Sequence, residues 1–247
     1  GANRSLLTLI EGLREKHGIT PNVLVPEKGE LTSHLDDLNI PYRILPIKLW
    51  MGSSRWRAPI RFFLNILLLI KFLLYKKSDF HLVYTNSSVT PFGFYISLIL
   101  NLPHIWHVRE YGKEDYGLKY DFGKRYFKWA LSKSEYIVCI SEDLLNRKLR
   151  PLKTNYKIVY NGICTKEQLE NNYQEFCESN WNRKNFQVSI IGMLREEKGQ
   201  EQAILALKKI LTKGDCSNIQ LNIIGDGQKK YTQYLKGLVR EYDLYSK

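Results

Sequence analysis

Short apolar runs alternate with amphipathic stretches along most of this chain, and that alternation constrains the fold more tightly than any single motif. Leu6, Leu9, Ile10 and Leu13 fall on one stripe of a helix over residues 3–17, and further helices are predicted over 31–38, 58–76, 91–100, 123–133 and 142–148. Between them, residues 21–25, 42–47, 81–85, 104–108, 136–141 and 157–160 read as strands. Parallel strands cannot be joined by a tight turn. They need a crossover, usually a helix, so this order of elements predicts a doubly wound parallel sheet. Residues 163–184 are polar and break the rhythm, as a linker with some helix would. Strands at 186–191 and 219–224 and helices at 199–213 and 228–242 then restart it, with Ala203, Ile204, Leu207, Ile210 and Leu211 on one helix face.

The prediction is an α/β chain with two doubly wound domains: residues 1–165, a linker at 166–184 and a partial second domain at 185–247. The last segment holds 63 residues, whereas a domain of this kind takes on the order of 100–150. Two strands with their helices do not bury both faces and edges of a parallel sheet. At the front, a glycine leads straight into a helix where a strand would precede the turn. The expectation is a chain truncated at both ends, chiefly the second.

Charge is unevenly placed. Lys and Arg number 37 against 25 Asp and Glu, a formal net charge of +12. Up to residue 165 there are 24 basic and 14 acidic residues, and beyond it 13 and 11. Between Asp37 and Asp79 there is no acidic residue, while Arg43, Lys48, Arg55, Arg57, Arg61, Lys71, Lys76 and Lys77 contribute +8. That points to an anionic partner near the first half: nucleic acid, a phosphorylated substrate or a membrane surface. Nucleic acid is set aside, because Trp50, Trp56, Phe62 and Phe63 lie in or beside a strongly apolar helix and not on an exposed sheet face.

That helix contains IRFFLNILLLIKFLLY at 60–75, interrupted by Asn65 and Lys71. It falls short of the ~18–20 continuous apolar residues of a membrane span. Arg61, Asn65 and Lys71 are expected to share its polar side, which leaves three readings in descending order, a buried packing helix, an interfacial one and a true span. The cysteines Cys139, Cys164, Cys177 and Cys216 are widely spaced with no CxxC pair, which speaks against a disulfide scaffold or zinc ribbon. The opening GANRSLLTLI has no basic leader or small-residue cleavage site, so the expected location is the cytoplasm.

Three strand–turn–helix junctions carry the chemistry, since helix N-termini at the carboxyl ends of parallel strands collect anions. At Gly1-Ala2-Asn3-Arg4-Ser5, free N–H groups and Arg4 would meet a phosphate, or else Asn3 or Ser5 merely caps the helix. At Ile191–Gly199, a strand ends at Gly192 and a short loop brings Lys198 to the next helix, either to neutralise a diphosphate or as part of a solvated turn. At Ile224-Gly225-Asp226-Gly227 the glycines serve a phosphate or a tight turn. His107 ends the strand at 104–108 within HVREYG, either where ligands bind in open α/β sheets or as a structural histidine. His104 and His107, three apart, face opposite sides of a strand and make no joint metal site. Ser141-Glu142 and Asn161-Gly162 fit ordinary capping and turn formation. DxD, HExxH and GxxxxGK[ST] do not occur, so nothing supports a metal hydrolase or a P-loop nucleotidase.

Taken in order, these pieces resemble the retaining glycosyltransferase family 4 (group 1), with its GT-B architecture of two Rossmann-like domains. GANRSLLTLIEGL is similar to the family's glycine turn and first helix, HVREYG to its strand ending in His, and SEYIVCISEDL and KIVYNGI to the end of its N-terminal domain. IIGMLREEKGQEQAILAL resembles the donor-site G-R-L-x-x-x-K-G segment, and LNIIGDGQ the next strand and turn. The resemblance implies an acceptor domain, then a domain for a nucleotide-diphosphate sugar held in the cleft between them, with no obligatory metal and no other cofactor. It implies that Gly1 approaches the donor phosphates or the acceptor through its backbone and that His107 sits beside the sugar at the reacting centre. Lys198 would hold the diphosphate, with Gly192, Arg195 and Gly225 in the donor site. Arg4, Arg55, Arg57 and Arg61 are expected to face the acceptor or a membrane. Where the family often has Arg after the glycine, this chain has Met193, with Arg195 two residues on, and the family's Glu-x7-Glu segment has no counterpart before Lys247.

Two functions follow from this. The first is a retaining transferase that moves a sugar from a nucleotide-diphosphate sugar to a glycan or lipid-linked acceptor in cell-surface polysaccharide synthesis, at the inner face of the cytoplasmic membrane. The second is a catalytically incomplete chain of the same architecture that binds an anionic glycan or a membrane surface.

Overall fold

The computed structural model describes residues 2–52, 54–74, 80–150, 152, 154–162, 164–178, 186–214 and 218–245. The chain divides into two compact units, Gly1–Ile163 and Cys164–Lys247. In the first, helix α1 (Ala2–His17) leads to β1 (Val23–Val25), α2 (Glu30–Asp37) and β2 (Tyr42–Ile44). β1 and β2 pair in parallel with Val23 opposite Tyr42, and Ile10, Val25, Leu35 and Ile40 close a small core around them.

There follow β3 (Met51–Gly52), α3 (Ala58–Leu74), β4 (Val83–Thr85), α4 (Phe92–Leu100) and β5 (His104–Val108). Next come α5 (Lys113–Tyr116), β6 (Lys119–Tyr120), α6 (Gly123–Ser132) and β7 (Tyr136–Cys139). Then α7 (Glu142–Leu144) runs into a π-helical turn, Leu145–Leu149, before β8 (Asn155–Ile158). Ser141 caps α7, its Oγ accepting from the Leu144 N–H, as its position after a strand suggests. β4, β5, β7 and β8 form a parallel sheet in that order. Trp50 and Trp106 stack with ring centroids 5.3 Å apart at the centre of the large core, among Phe92, Phe94, Phe127 and Leu131. α4 lies close on β4 because Gly93 has no side chain: a Cβ there would fall on Thr85 Oγ1.

β8 starts and ends two residues before the predicted strand at 157–160, because β7 has only four residues and its register, Tyr136 opposite Asn155 to Cys139 opposite Ile158, fixes where β8 lies. The antiparallel pair of β3 and β6 was not predicted, since two residues per strand leave no periodic signal. α3 departs from expectation in orientation. Of the three residues assigned to its polar side, Lys71 is exposed, but Asn65 is buried and Arg61 is turned into an ion pair with Asp121.

In the second unit, α8 (Lys166–Glu178) occupies much of the polar stretch. β9 (Phe186–Ile191), α9 (Gln200–Lys213), β10 (Ile219–Ile224) and α10 (Lys229–Glu241) follow. β9 and β10 pair in parallel with Phe186 opposite Ile219. Ile204 and Leu207 of α9 and Tyr231, Leu235 and Leu238 of α10 pack with Ile219 into one core, while Phe186, Val188, Ile191 and Ile224 stay exposed.

Candidate functional site

The carboxyl ends of the sheet in the first unit converge on one imidazole. His107 sits opposite Val138 in the sheet and is 6% exposed. Trp106 and Val108 point to the other face, into the core, so strand alternation sends His107 to the side where Tyr84 lies. Its Nδ1 is hydrogen-bonded to the Tyr84 hydroxyl and accepts from Arg109 Nη2 at 3.1 Å. A guanidinium has only hydrogens to give, so Nδ1 must be the acceptor and the ring proton rests on Nε2. Nε2 is buried and has no hydrogen-bond partner among the described residues. Burial and the Arg109 charge hold the imidazole down at about 4, and burial raises the Tyr84 phenol to about 12. At neutral pH the site therefore presents an uncharged N–H donor, held from behind.

Arg109 fixes that arrangement to three other segments. Its Nε donates to Asn86 Oδ1 at 2.7 Å and its Nη1 to Asn161 Oδ1 at 2.7 Å. The Ser5 hydroxyl of α1 donates to the same Asn161 oxygen, and Asn86 Nδ2 to the Ala2 carbonyl. The loop after β4 is held as firmly. Glu110 Oε1 accepts from the hydroxyls of Ser87 and Ser88, and buried Lys148 donates to Ser88 Oγ at 2.8 Å and the Glu110 carbonyl at 2.6 Å. The roles of Tyr84, Asn86, Arg109 and Asn161 were missed. HVREYG contains Arg109, but its partners lie 23 and 52 residues away in sequence, and Asn161 next to Gly162 looked like a turn alone.

His104 is not part of this group. It lies on the core side, 3% exposed, between Thr85 Oγ1 at 2.8 Å and Ser134 Oγ at 2.9 Å, and burial lowers it to about 4. Among the described residues there is no cluster of His, Cys, Asp and Glu able to hold a metal ion.

A second feature of the first unit is a cationic cleft of about 540 Å³ between Arg55, α5, β6, Lys124 and the π-helical turn. Arg55, Lys113, Lys119, Lys124, Arg147 and Lys148 line it, with Glu114 as the one carboxylate among the described lining residues. Arg147 pairs with Glu114 at 3.0 Å and with Asp143 at 3.5 Å, and the remaining lysines and Arg55 leave the cleft a positive excess.

Of the other predicted residues in this unit, Gly1 lies outside the described residues. Arg4, Arg55 and Arg57 are exposed, with Arg57 resting on the Trp56 ring at 4.8 Å. Arg61 is structural: Nε donates to Asp121 Oδ2 at 2.8 Å, Nη2 reaches Oδ1 and the Ser54 carbonyl, and the Asp121 carboxylate is 1% exposed.

In the second unit the turns after β9 and β10 lie against each other. The Gly192 N–H donates to the Ile224 carbonyl at 2.9 Å and the Leu194 N–H to the Asp226 carbonyl at 2.8 Å. Gly225 is obligatory, because its φ is +154° and a Cβ would run into the Gly192 carbonyl. Gly192 has the same φ, but nothing lies within 4 Å of where its Cβ would be, so its backbone is open to approach. Lys198 is exposed one residue before the left-handed Gly199 that starts α9, and Arg195 is half-buried at the head of the same loop. The Gln200 side chain donates to the Met193 carbonyl at 3.0 Å and stiffens the turn.

A parallel sheet that gathers polar side chains at its carboxyl ends, followed by a second β–α–β–α unit with glycine turns, is the make-up of GT-B proteins. Residues 1–167 match the model of Glycosyltransferase Family 4, and the chain belongs to that family. HepE from Anabaena, crystallised with UDP and glucose, superposes with a TM-score of 0.64 at 16% identity, covering 99% of this chain and 64% of HepE. The chain thus spans less than two thirds of HepE's length. MurG from Acinetobacter baumannii gives 0.49 at 14% identity, over 96% of this chain and 67% of its own. Among curated proteins none matches.

Proposed function

We propose that this chain belongs to an enzyme that transfers a sugar from a nucleotide-diphosphate sugar to a glycan or lipid-linked acceptor, with retention at the anomeric carbon and without a metal ion. The observation that carries this reading is the buried, unpartnered Nε2–H of His107 at the carboxyl end of β5, in a chain of Glycosyltransferase Family 4. A neutral imidazole whose proton is fixed on Nε2 has a hydrogen bond to give to a sugar hydroxyl that reaches it, and neither charges nor turns over its tautomer as it does so.

The second unit supports the same reading. The open backbone at Gly192, the cation of Lys198 and the first N–H groups of α9 suit a diphosphate, whose leaving oxygen gains charge as the glycosidic bond breaks. Arg195 takes the place of the family's usual Arg. UDP-sugars are the first donors to test, since HepE, which shares the fold, was crystallised with UDP and glucose. The cationic cleft suits an acceptor that carries a phosphate or another anionic group beside the sugar to be extended.

The test is release of nucleoside diphosphate from nucleotide sugars in the presence of glycan and lipid-phosphate acceptors. His107→Ala should lower kcat by roughly 10²–10³, the cost of removing one aimed donor. If the wild-type protein releases no diphosphate, or the variant matches it, the transferase reading falls. Binding of anionic glycan without turnover would favour a catalytically incomplete binding module.

A further inference from the structure

Helix α3 turns Arg61 and Asn65 inward, beside Leu69 and Phe72, and carries a row of apolar side chains outward. Asn65 is 1% exposed; its Oδ1 accepts from the Lys48 N–H and its Nδ2 donates to the Lys48 carbonyl, both at 2.8 Å. Arg61 is spent on Asp121 and the Ser54 carbonyl. The opposite side shows Ile60, Phe63, Leu67, Ile70 and Leu74, and Trp56 continues the row from the 3-10 turn Arg55–Arg57 just before the helix; all six are between 47% and 76% exposed. Their spacing of four, three, four, three and four residues makes one continuous stripe, about 21 Å long from Ile60 to Leu74 at 1.5 Å per residue. An apolar surface of that extent is unusual on a protein with nothing against it.

Charge decides what covers it. Arg55, Arg57 and Lys71 flank or border the stripe, and no acidic residue occurs between Asp37 and Asp79. A second copy laid face to face would bring the two sets of cations together, with no carboxylate from residues 38–78 to offset them. An anionic lipid surface satisfies both features, taking the stripe into the boundary of the acyl chains and the cations among the headgroups. Trp56 at one end, with Arg57 stacked on it, is the amphipathic pairing favoured at such a boundary. No helix among the described residues is long and apolar enough to cross a membrane, so α3 would lie in the surface plane. We propose that the outward face of α3 docks the protein on an anionic bilayer, with the helix parallel to the membrane.

Flotation of the full chain with phosphatidylcholine vesicles, with and without about one third phosphatidylglycerol, tests this without any sugar donor, so it stands or falls apart from the transferase reading. The chain should float with anionic vesicles and be released by high salt. Phe63→Ser with Leu67→Ser should weaken partitioning by roughly tenfold or more, and Arg57→Gln with Lys71→Gln should reduce the dependence on anionic lipid. Circular-dichroism melts check that the variants remain folded, and Leu74→Ser, at the most exposed position of the stripe, serves if the double variant does not. Failure to float, or flotation indifferent to these side chains, overturns the proposal. So does a dimer that the Phe63 and Leu67 substitutions dissociate without any vesicle binding, because the face would then belong to a second copy.

Discussion

Lowering the pH from 7 to 5 charges the histidines of the unfolded chain but not the two that the fold keeps neutral, and His104 is the cleaner one to follow because it lies in the core away from the site. Its folded value is about 4, lowered by burial, against an ordinary 6.5. At pH 5 an unfolded imidazole is almost wholly protonated, whereas the folded one is about one tenth protonated. The unfolded state binds more protons, so stability present above pH 6.5 is lost as the pH falls toward 4. From pH 7 to pH 5 the loss is about 2 kcal/mol for this one residue. His104→Gln removes the titration. It also disturbs the bonds to Thr85 and Ser134, so the variant should be the less stable at pH 7. Urea unfolding of both proteins at pH 7, 6 and 5 should show the gap between them shrink by about 2 kcal/mol. A gap that stays constant within about 0.5 kcal/mol would refute the premise that His104 is held neutral by burial.

Arg61→Ala should cost about 3–5 kcal/mol, because it strands the buried Asp121 carboxylate, and adding Asp121→Asn should recover part of that in urea titrations. Gly225→Ala should destabilise the second unit by more than about 2 kcal/mol, since the new Cβ meets the Gly192 carbonyl, and a thermal melt should show the loss. Arg109→Gln should move the acid limb of the pH–rate profile of the proposed sugar transfer upward and lower kcat, because it lifts the charge that helps keep His107 neutral; an unchanged profile would assign Arg109 a structural part only.

The fold was legible because apolar periodicity is local. Leu6, Leu9, Ile10 and Leu13 mark α1 whatever surrounds it, and the turn glycines mark the ends of β9 and β10. The orientation of α3 was not legible for the same reason. Periodicity shows that Arg61 and Asn65 share a side; whether that side meets water or protein depends on Asp121 and the Lys48 backbone, 60 and 17 residues away. The cationic cleft is hidden in the same way: Arg55, Lys113, Lys119, Lys124 and Arg147 lie in separate segments that only the fold brings together.

The candidate site shows what such distance does to precision. HVREYG supplies the imidazole and the guanidinium that orients it, yet Arg109 is itself held by Asn86 after β4 and Asn161 after β8, and Asn161 is shared with Ser5 of α1. Each bond contributes only about 0.5–1.5 kcal/mol, and several are exposed. Together they orient the guanidinium so that Nη2 points toward Nδ1 of His107. The tautomer is thus set by four chain segments, although the motif names one. Loosening Asn161 should therefore be felt at Nε2 of His107, two bonds removed, as a loss of orientation and not of charge.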